Sequence, residues 1–147
     1  MVRVNHMKHR KPRIAIIGGQ FHKELIEEMI TAATEEAQQH GAEISKTILV
    51  AGSYEVPLIA DKVLEDTKID ALVVLGYIEQ GETLHGEVMG HVVHRVLLDL
   101  QLEYGKPIGI GIIGPGATKK QAQARKVSAA RGAVSAALQS LEILKKL

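Results

Sequence analysis

The segment from residue 82 to residue 87, Glu-Thr-Leu-His-Gly-Glu, combines residue types that suit phosphate binding and proton transfer. Thr83 is predicted to cap a helix that begins near Leu84, and the free backbone N–H groups at a helix start bind anions such as phosphate. His85 lies in the first turn of that helix, and histidine is the residue type that most readily exchanges a proton near neutral pH. A phosphate cradle beside a proton carrier makes this segment a candidate active site.

The residues before this segment predict a strand that presents it to a ligand. Residues 71–75, Ala-Leu-Val-Val-Leu, form a short apolar run typical of a strand buried on both faces. Gly76 and Gly81 then indicate a turn. Ligands of parallel α/β folds bind at the carboxyl ends of the strands, so we expect the site at that edge of the sheet.

Two further loops follow predicted strands and carry candidate binding residues. Phe21, the only Phe, comes directly after a strand over residues 13–19, and it is either a core contact that caps the sheet or a flat platform for a planar ring. Ser53 and Glu55 follow a second strand over residues 44–50. Ser53 can cap the next helix, and Glu55 can either complement the dipole of that helix or accept hydrogen bonds from substrate hydroxyls.

The whole pattern predicts an α/β fold of three layers, α/β/α. Strands are expected over residues 13–19, 44–50, 69–75 and 108–113, each followed by a helix. Thr118 is the predicted cap of the fourth helix, and Gly132 marks a kink before a fifth helix. Strand–helix alternation with right-handed crossovers gives a four-stranded parallel sheet with helices on both faces. The glycines at positions 109, 111 and 114 indicate close backbone approach or packing against another chain.

Composition excludes several classes of function. The chain has 147 residues, no Cys and a net charge of +1, so thiol chemistry is excluded and no charge excess favours nucleic acid or a membrane as partner. No apolar run approaches the roughly 20 residues of a membrane helix. His91 and His94 lack the spacing of a zinc helix motif, and we predict no metal site. We expect one domain over residues 13–147, after a flexible N-terminal arm over residues 1–12, in a reducing cytoplasm.

Four motifs in register resemble lumazine synthase over residues 14–144. They are Phe21 after the first strand, GSYEVPLIA at 52–60, GETLH at 81–85, and QAQAR at 121–125. Each motif alone is a weak signal, whereas GETLH together with GSYEVP is a specific combination. The GPGAT turn at 114–118 looks like the archaeal branch of that family.

The resemblance implies a fold, a reaction and an assembly. The fold is flavodoxin-like. The reaction is a step of riboflavin biosynthesis: 5-amino-6-(D-ribitylamino)uracil condenses with 3,4-dihydroxy-2-butanone 4-phosphate to 6,7-dimethyl-8-ribityllumazine, without metal or cofactor. A Schiff base forms, phosphate leaves, and the ring closes with loss of water. The assembly is a homo-oligomer, either a pentamer or an icosahedral 60-mer shell, in which neighbouring subunits share each pocket.

The resemblance also implies roles for individual residues. The residues expected at the heterocycle and the ribityl chain are Phe21, which stacks on the ring, and Ser53, Tyr54, Glu55, Tyr77, Ile78 and Glu79. The residues expected at the phosphate are Glu82 and Thr83, through backbone N–H groups, and Arg125 of the adjacent subunit. His85 shuttles protons. Ile110 occupies the position where many members place an aromatic residue from the neighbouring subunit.

Departures from the family pattern keep two alternatives open. Glu79 and Gln80 replace an apolar residue and an arginine, and Gly86-Glu87-Val88 stands where an aromatic residue and an aspartate are common. One alternative is an archaeal-type riboflavin synthase, against which the GETLH motif argues. The other is a non-catalytic flavin-binding or shell-forming paralogue. A flavodoxin-like electron carrier is disfavoured, because the chain has no Trp and no Ser/Thr-rich phosphate loop after the first strand.

Overall fold

The computed structural model describes residues 10–147, where strands and helices alternate. The strands are β1 (Arg13–Gly19), β2 (Glu43–Val50), β3 (Ala71–Glu79) and β4 (Ile108–Ala117). The α-helices are α1 (Lys23–Gln39), α2 (Val56–Leu64), α3 (His85–Tyr104) and α4 (Lys119–Lys146). Short 3₁₀ turns over Gln20–His22 and Ser53–Glu55 precede α1 and α2. The predicted flexible arm lies mostly outside the described residues and stays a prediction.

All four strands are parallel, and their order in the sheet is β2-β1-β3-β4. The central strands β1 and β3 are rich in apolar residues and buried along nearly their whole length, as expected of strands covered on both faces. Helices α1 and α4 cover one face, and α2 and α3 cover the other. The predicted three-layer, flavodoxin-like architecture is therefore confirmed.

Successive side chains of the central strands enter two separate cores. Ile16 and Val73 pack with residues of α1 and α4, whereas Ile17 and Val74 pack with residues of α2 and α3. This division follows from the pleat, which directs neighbouring side chains to opposite faces of a sheet. Each such fully buried side chain contributes on the order of 1.5–3 kcal/mol. The two cores hold the strand ends in fixed positions.

Strands β3 and β4 extend beyond their predicted ends. The sequence places a turn at Gly76, but Gly76 pairs with Ile112 and β3 continues to Glu79. Strand β4 likewise runs on to Ala117, so the predicted turn at 114–118 is largely strand. Hydrogen bonds between the two strands outweigh the low strand propensity of glycine, because strand stability depends on cross-strand context.

Helix α4 also differs from the prediction. It is one helix through Gly132, so the predicted kink and separate fifth helix are wrong. Thr118 caps it as predicted: its hydroxyl accepts a hydrogen bond from the Gln121 backbone N–H at 3.2 Å, and the Gln121 side chain accepts one from the Thr118 backbone N–H at 2.9 Å. Ser53, by contrast, does not cap α2, which has no side-chain cap hydrogen bond.

Close packing of α4 on β4 explains the glycines of that strand. A Cβ added to Gly109 would collide with the backbone carbonyl oxygen of Ala133, and one added to Gly111 would lie 3.2 Å from that of Ala129. The contact at Gly109 is with helix backbone, which cannot give way, so that position requires a residue without a side chain, and the contact at Gly111 is tight. The predicted close backbone approach is confirmed within the chain at Gly109.

Candidate active site

A cleft of about 330 Å³ opens at the carboxyl ends of β1 and β3. The connection that leaves β1 passes through α1 on one face of the sheet, whereas the connection that leaves β3 passes through α3 on the other face. The two connections diverge towards opposite edges of the sheet. The crevice between them is the place where parallel α/β folds bind ligands, and it is where the sequence predicts a site.

Most of the predicted site residues line this cleft, although they come from four separate segments. Those in its wall are Phe21, Ser53, Tyr54, Glu55, Tyr77, Ile78, Glu79, Thr83 and His85. The fold therefore brings together residues that are up to 64 positions apart (85 − 21 = 64) in the chain. Their roles toward a ligand stay predictions, because the geometry shows only that they meet.

Two aromatic side chains of the cleft, Phe21 and Tyr54, are exposed, whereas Tyr77 is packed in the core. Phe21 is 81% exposed, so the interpretation of this residue as a core contact is wrong within this chain. Tyr54 is 46% exposed, and its ring meets the ring of His85 edge-on at a centroid distance of 5.9 Å. Exposed flat rings around a cleft are available to stack on a planar ligand.

The start of α3 places His85 at the mouth of the cleft. The backbone N–H of His85 donates to the Thr83 hydroxyl at 3.4 Å, and α3 begins at His85, one residue later than predicted. Within residues 10–147 no side chain caps the following N–H groups, so the first turn of α3 leaves donors for an anion. Glu55 lies across the cleft at the start of α2, and within residues 10–147 its carboxylate accepts no hydrogen bond.

His22 also lies in the cleft, and sequence reasoning missed it. Its ring lies 4.5 Å from that of Tyr77, and its Nε2 lies 3.7 Å from Oε2 of Glu79. Burial lowers the pKa of His22; Glu79 opposes this shift and Lys119 adds to it. His22 ends the 3₁₀ turn before α1. Its position immediately after Phe21 was the available signal.

Three predicted residues do not line the cleft of this chain. Glu82 is exposed in the loop before α3, and Ile110 is partly buried against the core beneath α2 and α3. Arg125 is exposed on α4, where its guanidinium donates to the Gln121 carbonyl at 3.5 Å. Arg125 and Ile110 were predicted to involve a neighbouring subunit, so a single chain leaves those predictions open.

Two features are absent from residues 10–147. No group of three or more His, Asp or Glu side chains there is arranged to hold a metal ion. Nor does that part of the chain contain a helix of the length and apolarity needed to cross a membrane.

A sequence model of the 6,7-dimethyl-8-ribityllumazine synthase family matches residues 11–146, which include every wall of the cleft. The chain belongs to the lumazine synthase family. Proteins named 6,7-dimethyl-8-ribityllumazine synthase from Pyrobaculum arsenaticum, Methanopyrus kandleri and Aeropyrum pernix are similar to it, with 40%, 39% and 39% identity. The alignments cover 86%, 92% and 93% of this chain and 84%, 95% and 94% of those proteins.

The resemblance to lumazine synthase drawn from the sequence motifs is thus confirmed. Its archaeal affinity is confirmed too, since these relatives come from archaea. The match to the lumazine synthase family gives no support to a riboflavin synthase or to a non-catalytic paralogue.

Proposed function

We propose that this chain is a transferase that condenses 5-amino-6-(D-ribitylamino)uracil with 3,4-dihydroxy-2-butanone 4-phosphate to 6,7-dimethyl-8-ribityllumazine, in riboflavin biosynthesis and in the cytoplasm. Membership of the lumazine synthase family supports this reaction. The observation that carries the proposal is the convergence of Phe21, the 53–55 turn and the 83–85 turn on one cleft of about 330 Å³. No metal or cofactor is invoked.

The heterocycle and its ribityl chain occupy the inner part of the cleft. Phe21, which is 81% exposed, stacks on the flat ring. Tyr77 and Ile78, both buried in the cleft wall, limit the depth to which the ring enters. Ser53, Tyr54 and Glu55 hold the hydroxylated chain, because hydroxyl and carboxylate groups can exchange hydrogen bonds with sugar hydroxyls.

The phosphate of the second substrate binds at the start of α3. Backbone N–H groups there, near Glu82 and Thr83, present donors at the positive end of the helix dipole. Arg125 of a neighbouring subunit supplies a fixed positive charge that can pair with phosphate through two hydrogen bonds. Ile110 of the neighbour replaces the aromatic side chain that many members use beside the ring.

His85 carries protons between the two substrates. Attack of the amino group on the ketone forms an imine and releases water, and elimination of phosphate and ring closure each require a further proton transfer. A positioned imidazole can both accept and donate at neutral pH, which typically contributes ~10²–10⁴-fold. Holding the two substrates together in reactive geometry supplies much of the remaining acceleration.

The site requires an oligomer, which we propose is a pentamer or a 60-mer shell of pentamers. Helix α3 supports an assembly, because large apolar side chains lie along its exposed face. They are Val88, Val92, Leu98 and Leu102. An exposed apolar stripe of this kind indicates a surface that is covered by another chain. Light scattering of the purified protein distinguishes a monomer, a pentamer and a shell by mass.

The decisive experiment incubates the purified protein with both substrates and follows the absorbance of the lumazine product. Product is expected with both substrates and not with either one alone. Conversion of lumazine alone to riboflavin identifies a riboflavin synthase instead. Tight binding of riboflavin without any condensation identifies a non-catalytic flavin-binding protein.

A mixing experiment tests whether neighbouring subunits share the pocket. Arg125→Ala should raise the KM for the butanone phosphate with little effect on the KM for the pyrimidine. Assemblies formed from Arg125→Ala and His85→Ala subunits together should recover part of the activity, because some interfaces then pair an intact His85 with an intact Arg125. If the mixture is no more active than the separate variants, both residues act within one subunit and the shared pocket is wrong.

A further inference from the structure

We propose that Glu79 is a specificity-determining residue of the cleft, whose carboxylate accepts hydrogen bonds from N–H groups on the edge of the heterocyclic substrate, and that His22 is the positioning residue that holds this carboxylate in place. The inference rests on the proposed function, because the heterocycle is the ligand it names. It adds a side-chain contact at a position where the family pattern has an apolar residue.

The Glu79 carboxylate lies beside one ammonium group and one imidazole, but it accepts no hydrogen bond within residues 10–147. It is the last residue of β3 and lies in the cleft wall, 36% exposed. Its Oε2 lies 3.7 Å from Nε2 of His22, and its Oε1 lies 3.9 Å from Nζ of Lys119. Both distances exceed the 2.7–3.2 Å range of a nitrogen–oxygen hydrogen bond. His22 and Lys119 therefore flank the carboxylate, and among the described residues its lone pairs are free to accept hydrogen bonds from a ligand.

The His22 side chain is fixed by its neighbours. Its ring packs at 4.5 Å against the ring of Tyr77, which is 8% exposed and donates a hydrogen bond from its hydroxyl to the Ala117 carbonyl at 2.8 Å. The ring of Phe21 meets His22 edge-on at 5.1 Å. His22 thus has little freedom to turn away from Glu79.

The Nε2 atom of His22 is buried and has no hydrogen-bond partner within residues 10–147. Burial lowers the pKa of His22 below 6.5, with Glu79 opposing and Lys119 adding to the shift, so the ring is neutral near pH 7 and carries one N–H. A buried polar atom without a partner is unfavourable, and Oε2 of Glu79 is an acceptor 3.7 Å away. A ligand that moves the Glu79 carboxylate slightly towards His22 completes this hydrogen bond.

The chemistry of the carboxylate selects the ligand. An ionised carboxylate only accepts hydrogen bonds, so the group opposite it must donate. The aminopyrimidinedione presents amino and ring N–H groups at its edge, whereas the butanone phosphate offers only one hydroxyl as a donor and carries negative charge. Glu79 therefore favours the heterocycle and repels the phosphate from this end of the cleft, which separates the two substrates.

The experiment measures binding and turnover in a double-mutant cycle of Glu79→Gln and His22→Phe. Glutamine keeps the shape of Glu79 but lacks its charge, and phenylalanine keeps the packing of His22 on Tyr77 but lacks its N–H. The Kd of 5-amino-6-(D-ribitylamino)uracil, measured by calorimetry, should rise about tenfold or more for Glu79→Gln, as expected for loss of a charged hydrogen bond. The KM for the butanone phosphate should stay unchanged or fall.

The cycle separates a positioning role from independent binding. His22→Phe should weaken binding of the pyrimidine in the presence of Glu79 and should add little in the Glu79→Gln background, because it acts through that carboxylate. Fully additive effects overturn the positioning role of His22. Glu103→Gln, the same change at an exposed site at the far end of α3, is the matched control, and thermal unfolding of each variant checks the fold.

The outcomes distinguish this inference from the proposed function. An unchanged Kd in Glu79→Gln, with a wild type that binds and condenses, overturns the inference alone. A wild type that binds the pyrimidine without condensing it, together with weakened binding in Glu79→Gln, supports the inference and overturns the proposed reaction. A wild type that does not bind the pyrimidine overturns both.

Discussion

The two ends of the sheet carry cavities of the same size, but they differ in whether their polar groups are already hydrogen-bonded. Each measures about 330 Å³. At the amino end the polar groups are hydrogen-bonded to one another. The Asp70 carboxylate accepts hydrogen bonds from Nη1 and Nη2 of Arg10 at 3.0 and 2.9 Å, and from the Arg13 backbone N–H at 2.7 Å. Lys106 donates to the carbonyls of Leu64 and Asp66 at 2.8 and 2.9 Å.

Hydrogen bonding at the amino end also shifts the pKa of a side chain there. The hydrogen bond to Asp61 raises the pKa of Tyr104 to about 12. At the carboxyl end, Phe21 and His85 are exposed and His22 Nε2 has no partner among the described residues. Hydrogen-bonding capacity that the chain leaves unused, rather than the volume of a cavity, distinguishes a binding site from a structural cluster.

The largest expected effect is a loss of turnover from a substitution at the carboxyl end of the sheet. His85→Ala should lower kcat by about 10²–10⁴-fold, because it removes the proton carrier while leaving the two substrates held together. Steady-state turnover with both substrates measures it. The thermal unfolding midpoint should stay close to that of the wild type. Complete loss of activity with an intact fold means that His85 does more than move protons.

A substitution at the amino end of the sheet should lower the stability of the fold and leave the activity unchanged. The Asp70 carboxylate is 12% exposed, and Asp70→Ala leaves the Arg13 N–H without its acceptor. The free energy of unfolding should fall by about 1–3 kcal/mol, with kcat and KM unchanged. Asp99→Ala is the matched control, since Asp99 pairs with Arg95 on the surface and should contribute less than about 1 kcal/mol. A large loss of activity in Asp70→Ala contradicts the division between the two ends.

Phe21→Ala should weaken binding without weakening the fold. Stacking of a base on an aromatic side chain contributes about 1–3 kcal/mol, so the KM for the pyrimidine should rise roughly tenfold or more. The free energy of unfolding should change by less than about 0.5 kcal/mol, as for other exposed positions. Leu147→Ala, at a residue that is 96% exposed, controls for loss of exposed apolar surface. Equal affinity in Phe21→Ala and wild type refutes the stacking role.

The smallest expected effect is a pH dependence from His22. Because burial lowers its pKa in the folded protein from 6.5, the unfolded chain takes up the proton more readily. This contribution to stability is present above pH 6.5 and is lost as the pH falls through the folded-state pKa. Denaturant unfolding of His22→Phe should therefore show a flatter decline in stability below pH 6.5 than the wild type does. Identical slopes show that His22 is not the group responsible.

Much of the fold could be predicted because its signals are local. The apolar run at 71–75 and the helical spacing of residues in α1 identify elements from a few neighbouring positions. The Thr118 cap depends on Gln121, only three residues away. The strand-to-helix order then requires a parallel sheet, and the carboxyl ends of its strands place the 53–55 and 83–85 motifs at one edge.

Only the tertiary structure decided the features that depend on distant partners. Gly76 belongs to β3 because β4 pairs with it, and α4 continues through Gly132 because the small residues on either side pack on the sheet. The exposure of Phe21 follows from where the core ends. The contact of His22 with Glu79 joins residues 57 positions apart (79 − 22 = 57), and no local pattern encodes it. Sequence patterns fix what each segment prefers, whereas burial and pairing are set by segments that meet only after folding.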